Sequence, residues 1–232
     1  MNRIFSKGIQ KLSIAMRKHS FALHQLDKKL ENYLDFQEGF FIEAGANDGI
    51  MQSNTLYFER YKKWQGLLIE PLPELAEKCK QNRPACIVEN VALTAFDYPK
   101  NTIDIHYGGL MSLVRGARSS AEEELEHIHK GLDIQELSST YTIAVPTMTL
   151  SDLLVKHRIQ KVDLLSLDVE GYELQVLKGL DFKRHRPKFM LIEVRDRQTI
   201  EKYLAPFYEL VDTLHQADTY ADILFKARKG LE

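Results

Sequence analysis

Acidic residues end several apolar runs in this sequence, each beside a turn. Phe40-Phe41-Ile42-Glu43 leads into Ala44-Gly45-Ala46-Asn47-Asp48-Gly49, Gly66-Leu67-Leu68-Ile69-Glu70 into Pro71, and Leu164-Leu165-Ser166-Leu167-Asp168 into Val169-Glu170-Gly171. An apolar run, a small-residue turn and then a helix-compatible segment read as strand, turn and helix. In open α/β sheets the carboxyl ends of the strands face the ligand crevice, so these acids are placed to meet a ligand. Gly45 has no Cβ and lets a ligand approach the main chain. Asn47 tolerates the positive φ that such a turn demands. Gly49 lets the following helix pack closely on the strand. The spacing Glu43-x-Gly45-x-Asn47-x-Gly49 departs from the G-x-G-x-x-G dinucleotide fingerprint, and an acid stands where a pyrophosphate would want only amides. An amino group and a sulfonium suit an acid, and S-adenosylmethionine carries both.

Glu70 ends the second strand, about 20 residues past the glycines, where a carboxylate grips a ribose diol. It can accept from both hydroxyls at once, and Pro71 stops the strand and leaves Glu70 at its tip. An ordinary surface glutamate is the alternative. Residues 86–93 read as a third strand whose end lies beside an adenine ring, with Asn90 on the base edge and Val91 next to it. Asp168, at the end of the fourth strand, is placed to position or deprotonate a nucleophile; capping the next helix is its structural alternative. Glu170 follows two residues on, either in the chemistry or fixing the turn with Gly171. His106 can reach from an overhanging segment, or sit on a strand surface.

The elements that must position these groups follow in order. Residues 1–34 carry an apolar stripe at Phe5, Ile9, Leu12, Met16, Leu23, Leu26, Leu30 and Tyr33 against a basic face, which predicts an amphipathic helical arm over residues 1–36. Docking on the domain or a second copy, membrane-surface contact and a nucleic-acid arm compete for it. The remainder, 37–232, reads as one domain with an insertion around 108–141. Just before the insertion 103–107 alternates like an extra strand; within it 108–112 is a turn that overhangs the pocket, and 115–140 is a solvated helical insertion or lid. His127-Ile128-His129 is a poor metal motif, because neighbours two apart point away from each other on a helix. Two strands near 207–214 and 221–227 form a terminal hairpin. The order of strands and helices is that of an α/β sheet ending in a hairpin.

The formal net charge is −2, so no global basic field points to nucleic acid. Cys79 and Cys86 are the two cysteines, which fits a reduced, cytoplasmic setting better than a disulfide framework. No apolar run is long enough to span a bilayer.

Phe41-Ile42-Glu43-Ala44-Gly45-Ala46-Asn47-Asp48-Gly49, Ile69-Glu70-Pro71, Asn90-Val91-Ala92-Leu93, Asp163 to Glu173 and Val176-Leu177-Lys178-Gly179 together resemble the FkbM family of S-adenosylmethionine-dependent methyltransferases. Glu43 stands where many members have Asp. The resemblance covers roughly residues 38–200. It implies an α/β, class I methyltransferase (Rossmann-like) fold, a seven-stranded mixed sheet with the last strand antiparallel, and O-methylation of a hydroxyl on a sugar, glycan or secondary metabolite. On that reading Glu43, Gly45, Ala46, Asn47, Gly49, Glu70, Pro71, Asn90, Val91 and Asp168 bind the cofactor, and Asp168, Glu170 and His106 serve the chemistry. A nicotinamide oxidoreductase is the alternative, but the glycine spacing and a Tyr-x-x-x-Lys pair are missing. A non-catalytic S-adenosylmethionine-binding module is another. Asp168 and Glu193 end neighbouring strands and repel, so either a proton or a divalent cation must relieve them. We take the metal-free version, because no third ligand is evident, and expect no metal among the site residues.

Overall fold

The structure, a computed structural model, describes residues 19–230. The acid-tipped runs form its centre: β1 (Phe40–Ala44) lies between β2 (Gln65–Ile69) and β8 (Leu164–Leu167), parallel to both. Strands covered on both faces must be apolar throughout, and Phe41, Ile42, Leu67, Leu68, Leu164 and Leu165 are fully buried. β3 (Ile87–Glu89) extends the sheet beyond β2, and β9 (Phe189–Val194) extends it beyond β8. β11 (Ala221–Ala227) inserts between β9 and β10 (Tyr208–Gln216), antiparallel to both. The seven-stranded order is β10-β11-β9-β8-β1-β2-β3. The last strand is therefore the antiparallel one, as expected.

Side chains alternate across the sheet and separate two apolar layers. Ile42, Leu165, Ile192 and Ile223 face α5 (Leu150–Lys156), α6 (Glu173–Leu177) and α7 (Arg197–Leu204). Phe41, Leu164, Leu191 and Leu224 face α1 (Leu26–Glu31), α2 (Leu56–Lys62) and α3 (Pro73–Asn82). From the predicted arm, Leu26, Leu30 and Leu34 are buried in this second layer. The apolar stripe there docks on the domain itself, and within the described part of the arm the α-helix covers Leu26–Glu31. The basic half of the arm, with its membrane and assembly readings, falls outside the described residues. Among the described residues no helix is long and apolar enough to cross a membrane.

The third strand is broken. Its first part stays in the main sheet as β3. Its second, β4 (Ala92–Leu93), pairs instead with β7 (Thr142–Met148) in a small sheet of order β4-β7-β5-β6, with β5 (Thr102–His106) and β6 (Leu113–Val114). β7 was not predicted. The insertion helix α4 (Ala121–Ile134) is not the solvated lid expected: Ile128 is fully buried, and it and Leu132 pack against Leu113. Ser120 caps the helix by accepting from the Glu123 amide.

Candidate active site

A cavity of about 330 Å³ opens at the carboxyl ends of β1, β2, β8 and β9. The first turn is built as its sequence demands. Gly45, Asn47 and Gly49 take φ of +86°, +50° and +81°. Gly45 and Ala46 donate their amides to the Ile69 carbonyl at 3.0 and 3.1 Å, which seats the turn on β2. The lack of a Cβ at Gly45 has a different cause from the one expected. A Cβ there would stand 1.9 Å from the Asp168 carbonyl oxygen, so the close approach is first of all to the neighbouring strand's backbone. A Cβ on Gly49 would meet Arg83 Cγ at 2.8 Å and Cys79 Sγ at 2.9 Å, in keeping with helix packing.

Glu43 is buried and already saturated. Its carboxylate accepts from Ser53 Oγ at 2.8 Å, Thr55 Oγ1 at 2.6 Å and the Asn54 amide at 2.7 Å. Arg83, with no exposed surface, lies 3.9 Å away and ties the Gly49 carbonyl at 2.8 Å and the Glu59 carboxylate to the same cluster. Glu43 thus holds the loop around the cavity, and its oxygens are taken before any ligand arrives. The groups left over lie nearby: Asn54 Oδ1 and Asp168 Oδ1 are buried acceptors without a hydrogen-bond partner, on residues that line the cavity. A buried orphan acceptor is costly, and a cofactor bearing an ammonium and a sulfonium supplies the missing positive charge. The residues present therefore fit S-adenosylmethionine, and Asn54 joins Glu43 among the residues lining the cavity. Asn54 was overlooked because Ser53-Asn54-Thr55 reads as the polar start of a helix.

Glu70 lines the cavity at the end of β2 and is only 5% exposed. One oxygen accepts from the Asn47 amide at 2.8 Å and the other from the Leu72 amide at 2.9 Å. Burial pushes its carboxyl up to about 7 against those two bonds, so a pair of ligand hydroxyls would favour its ionised form. Pro71 and Val91 line the same wall. Asn90 does not: its amide nitrogen donates to the Glu70 and Pro71 carbonyls at 2.9 and 2.8 Å, closing the gap where the third strand breaks.

Carboxylate oxygens of Asp168, Glu170 and Glu193 all lie within 4.8 Å of one another. Burial and then Glu193 and Glu170 push the Asp168 carboxyl well above the usual range. Burial and then Glu170 push Glu193 up to about 8, with Arg195 opposing. Asp222, opposite Glu193 on β11, is pushed by burial to about 6. Burial acts on Glu170 in the same direction, but His127 and Arg195 outweigh it and hold the group below its ordinary value. Sequence reasoning offered a proton or a divalent cation as relief; the structure adds a guanidinium. Arg195 Nη2 donates to Glu170 at 2.7 Å and to Glu193 at 2.9 Å. Glu170, at φ +56° beside Gly171 at +101°, also receives Arg118 at 3.2 Å and His127 Nε2 at 3.0 Å from the insertion. It joins the insertion to the turn after β8. A third carboxylate does stand beside Asp168 and Glu193, but Arg195, Arg118 and His127 already engage it.

His106 is not brought to the cavity. Its Nδ1 sits 3.1 Å from Glu124 Oε1 on α4, whose other oxygen accepts from the Gly116 amide at 2.7 Å. Gly109, Leu110, Met111 and Ser112 from the next turn do overhang the cavity. Tyr220, Asp222 and His24 also line it, none of them evident from sequence, because they come from the terminal hairpin and from a segment remote along the chain.

A sheet of this order, with a glycine turn on its central strand and an acid on the tip of the next, is the class I methyltransferase fold, a Rossmann-like α/β architecture. The Methyltransferase FkbM domain matches residues 43–220. The chain belongs to that family. It is 22% identical over 214 residues to the 2-O-methyltransferase NoeI of Sinorhizobium fredii, covering 91% of this chain and 82% of that protein. It is 27% identical over 150 residues to Methyltransferase 1 of Beauveria bassiana, covering 62% of this chain and 59% of that one. A TehB-like SAM-dependent methyltransferase from Corynebacterium glutamicum superposes with a TM-score of 0.44 at 11% identity, covering 97% of this chain and 96% of that one.

Proposed function

We propose that the protein methylates a hydroxyl oxygen of a sugar, glycan or similar polyhydroxylated small molecule. The observation that carries this is Asp168: its carboxyl stands at the end of β8, lines the cavity and keeps one buried oxygen free. When bound, S-adenosylmethionine supplies a methyl on a sulfonium, and in-line attack by the acceptor oxygen forms the C–O bond as the S–C bond breaks. Asp168 takes the hydroxyl proton. A carboxyl raised toward neutrality is a better base than an ordinary carboxylate once ionised, and a nearby sulfonium favours that ionisation. Glu70 holds the ribose diol, and the Gly45–Asn47 turn and Asn54 seat the amino-acid end. Glu193, Asp222 and Tyr220 border the acceptor side with Arg195, a set of donors and acceptors of both kinds that suits a polyhydroxylated molecule better than a single charge. The name of the NoeI relative, a 2-O-methyltransferase, supports oxygen as the acceptor atom.

Free thiols at Cys79 and Cys86 support a reducing, cytoplasmic setting. The test is mass spectrometry of a glycan and hydroxylated-metabolite pool after incubation with methyl-labelled cofactor, wild type against Asp168→Asn. Label on hydroxyl oxygens with wild type alone is the expected result. Label confined to amines overturns the reading.

A further inference from the structure

The segment before α1 is held in an unusual conformation against the cavity. Leu23 and His24 line it. His24 and Gln25 are consecutive left-handed residues, with φ of +53° and +57°, and neither is glycine. Such backbone persists only where the surroundings over-determine it, and it gathers at functional sites. The surroundings here are specific. Asp27, fully buried, clasps the segment by accepting from Ser20 Oγ at 2.6 Å, the Phe21 amide at 2.7 Å and the Ala22 amide at 3.4 Å. Ala22 forms a bridge with Gln52 in the loop that follows the glycine turn. His24 lies flat on His215 of β10, with ring centroids 3.5 Å apart and 15° between planes, and its Nε2 is 3.4 Å from the Tyr220 hydroxyl.

We infer that residues 21–25 are a strap over the ligand cavity, that His24 is its contact with the bound ligand, and that protonation of His215, on which the His24 ring lies, releases it. The inference rests on the cavity being the cofactor site. A neutral His215 lies under the His24 ring without cost, whereas an imidazolium there is kept from water, which disfavours the charged form. The groups facing the pair come from each element around it. Tyr220 from the β10–β11 turn lies with its ring 5.7 Å from that of His215, and Lys29 from α1 donates to the Leu214 carbonyl at 2.6 Å. Asp222 on β11 is paired across the strands with His215, and with Glu193 it lines the cavity. Burial, then His24, then Lys29 push the His215 imidazole below its ordinary value. The sign follows: the closed strap binds protons less readily than the open one, so closure is complete above the ordinary histidine range and weakens as pH falls through it.

The experiment is stopped-flow release of S-adenosylhomocysteine from the full chain between about pH 8 and about pH 5.5. Wild-type release should quicken on acidification, by at most about tenfold per pH unit for one proton. His215→Phe keeps a flat ring without a titrating nitrogen and should lose most of that acceleration; whatever remains belongs to the carboxyls lining the cavity. His24→Ala should release quickly at every pH, with an unchanged far-ultraviolet spectrum as the check on folding. The same acceleration in His215→Phe as in wild type, or wild-type release rates in His24→Ala, overturns the strap. Failure of the wild type to bind S-adenosylhomocysteine at all overturns instead the cofactor-site reading on which it rests.

Discussion

Replacing Glu70 by Gln separates its two tasks. The change keeps the shape of a side chain that is only 5% exposed but turns one acceptor oxygen into a donor. Each carboxylate oxygen now accepts one amide, from Asn47 at 2.8 Å and Leu72 at 2.9 Å. Gln can satisfy only one of them. The other amide faces a second donor, which should cost the empty protein about 1–3 kcal/mol, the range for a buried donor left unpaired. In the complex the lost contact is a hydroxyl hydrogen bond to a charged group, about 1.5–3 kcal/mol, so the cofactor Kd should rise about 10- to 150-fold. The pH dependence is the sharper signature. In the empty cavity burial pushes the carboxyl up to about 7, and two donating hydroxyls lower it again on binding. Binding therefore expels a proton at acid pH. Affinity should climb from about pH 5.5 to about 7 and then level off, because above the free value the group is already ionised. In Glu70→Gln that part of the rise should vanish. Titration calorimetry with S-adenosylhomocysteine in buffers of differing ionisation enthalpy measures both. A folded Glu70→Gln protein with wild-type Kd and the same pH profile would place the ribose site elsewhere.

Gly45→Ala puts a Cβ 1.9 Å from the Asp168 carbonyl at a φ of +86°, so thermal melting should show marked destabilisation even with no cofactor present; an unshifted midpoint contradicts the packing. Leu30→Ala, in the fully buried second layer, should cost about 2–5 kcal/mol in urea unfolding, whereas a removable appendage would lose almost nothing. Glu193→Gln should flatten the pH dependence of apo stability. A carboxyl pushed up to about 8 stabilises the fold fully below the unfolded value and loses that contribution as pH rises through 8, so the wild-type melting midpoint should fall faster than the mutant's over that window. Asp168→Asn should cut turnover about 10²–10⁴-fold, and EDTA should leave the wild-type rate unchanged; activity abolished by EDTA and restored by Mg²⁺ would put a metal among the three carboxylates.

Sequence alone determined the parts whose causes are local. A strand covered on both faces must be apolar along its length, so β1, β2, β8 and β9 were legible as runs, and their ends as acids beside turns. The left-handed residues of the first turn were legible too, since few side chains tolerate that backbone: Gly45, Asn47 and Gly49 all adopt it. What the turn and its acid do was decided by tertiary structure. Glu43 looked like a ligand contact, and only the fold shows Ser53, Asn54, Thr55 and Arg83 closing around it. Arg83 is the most telling case: a charged residue at the end of α3, it is fully buried among Glu59, Glu43 and the Gly49 carbonyl. The break after β3 turned Asn90 inward, and the docking of α4 drew His106 to Glu124. Arg195, Glu170 and His127 come from three separate stretches and meet only when the insertion packs. Backbone geometry is written in neighbouring residues, whereas the compensation of a buried charge depends on which distant side chain the fold brings within about 3 Å.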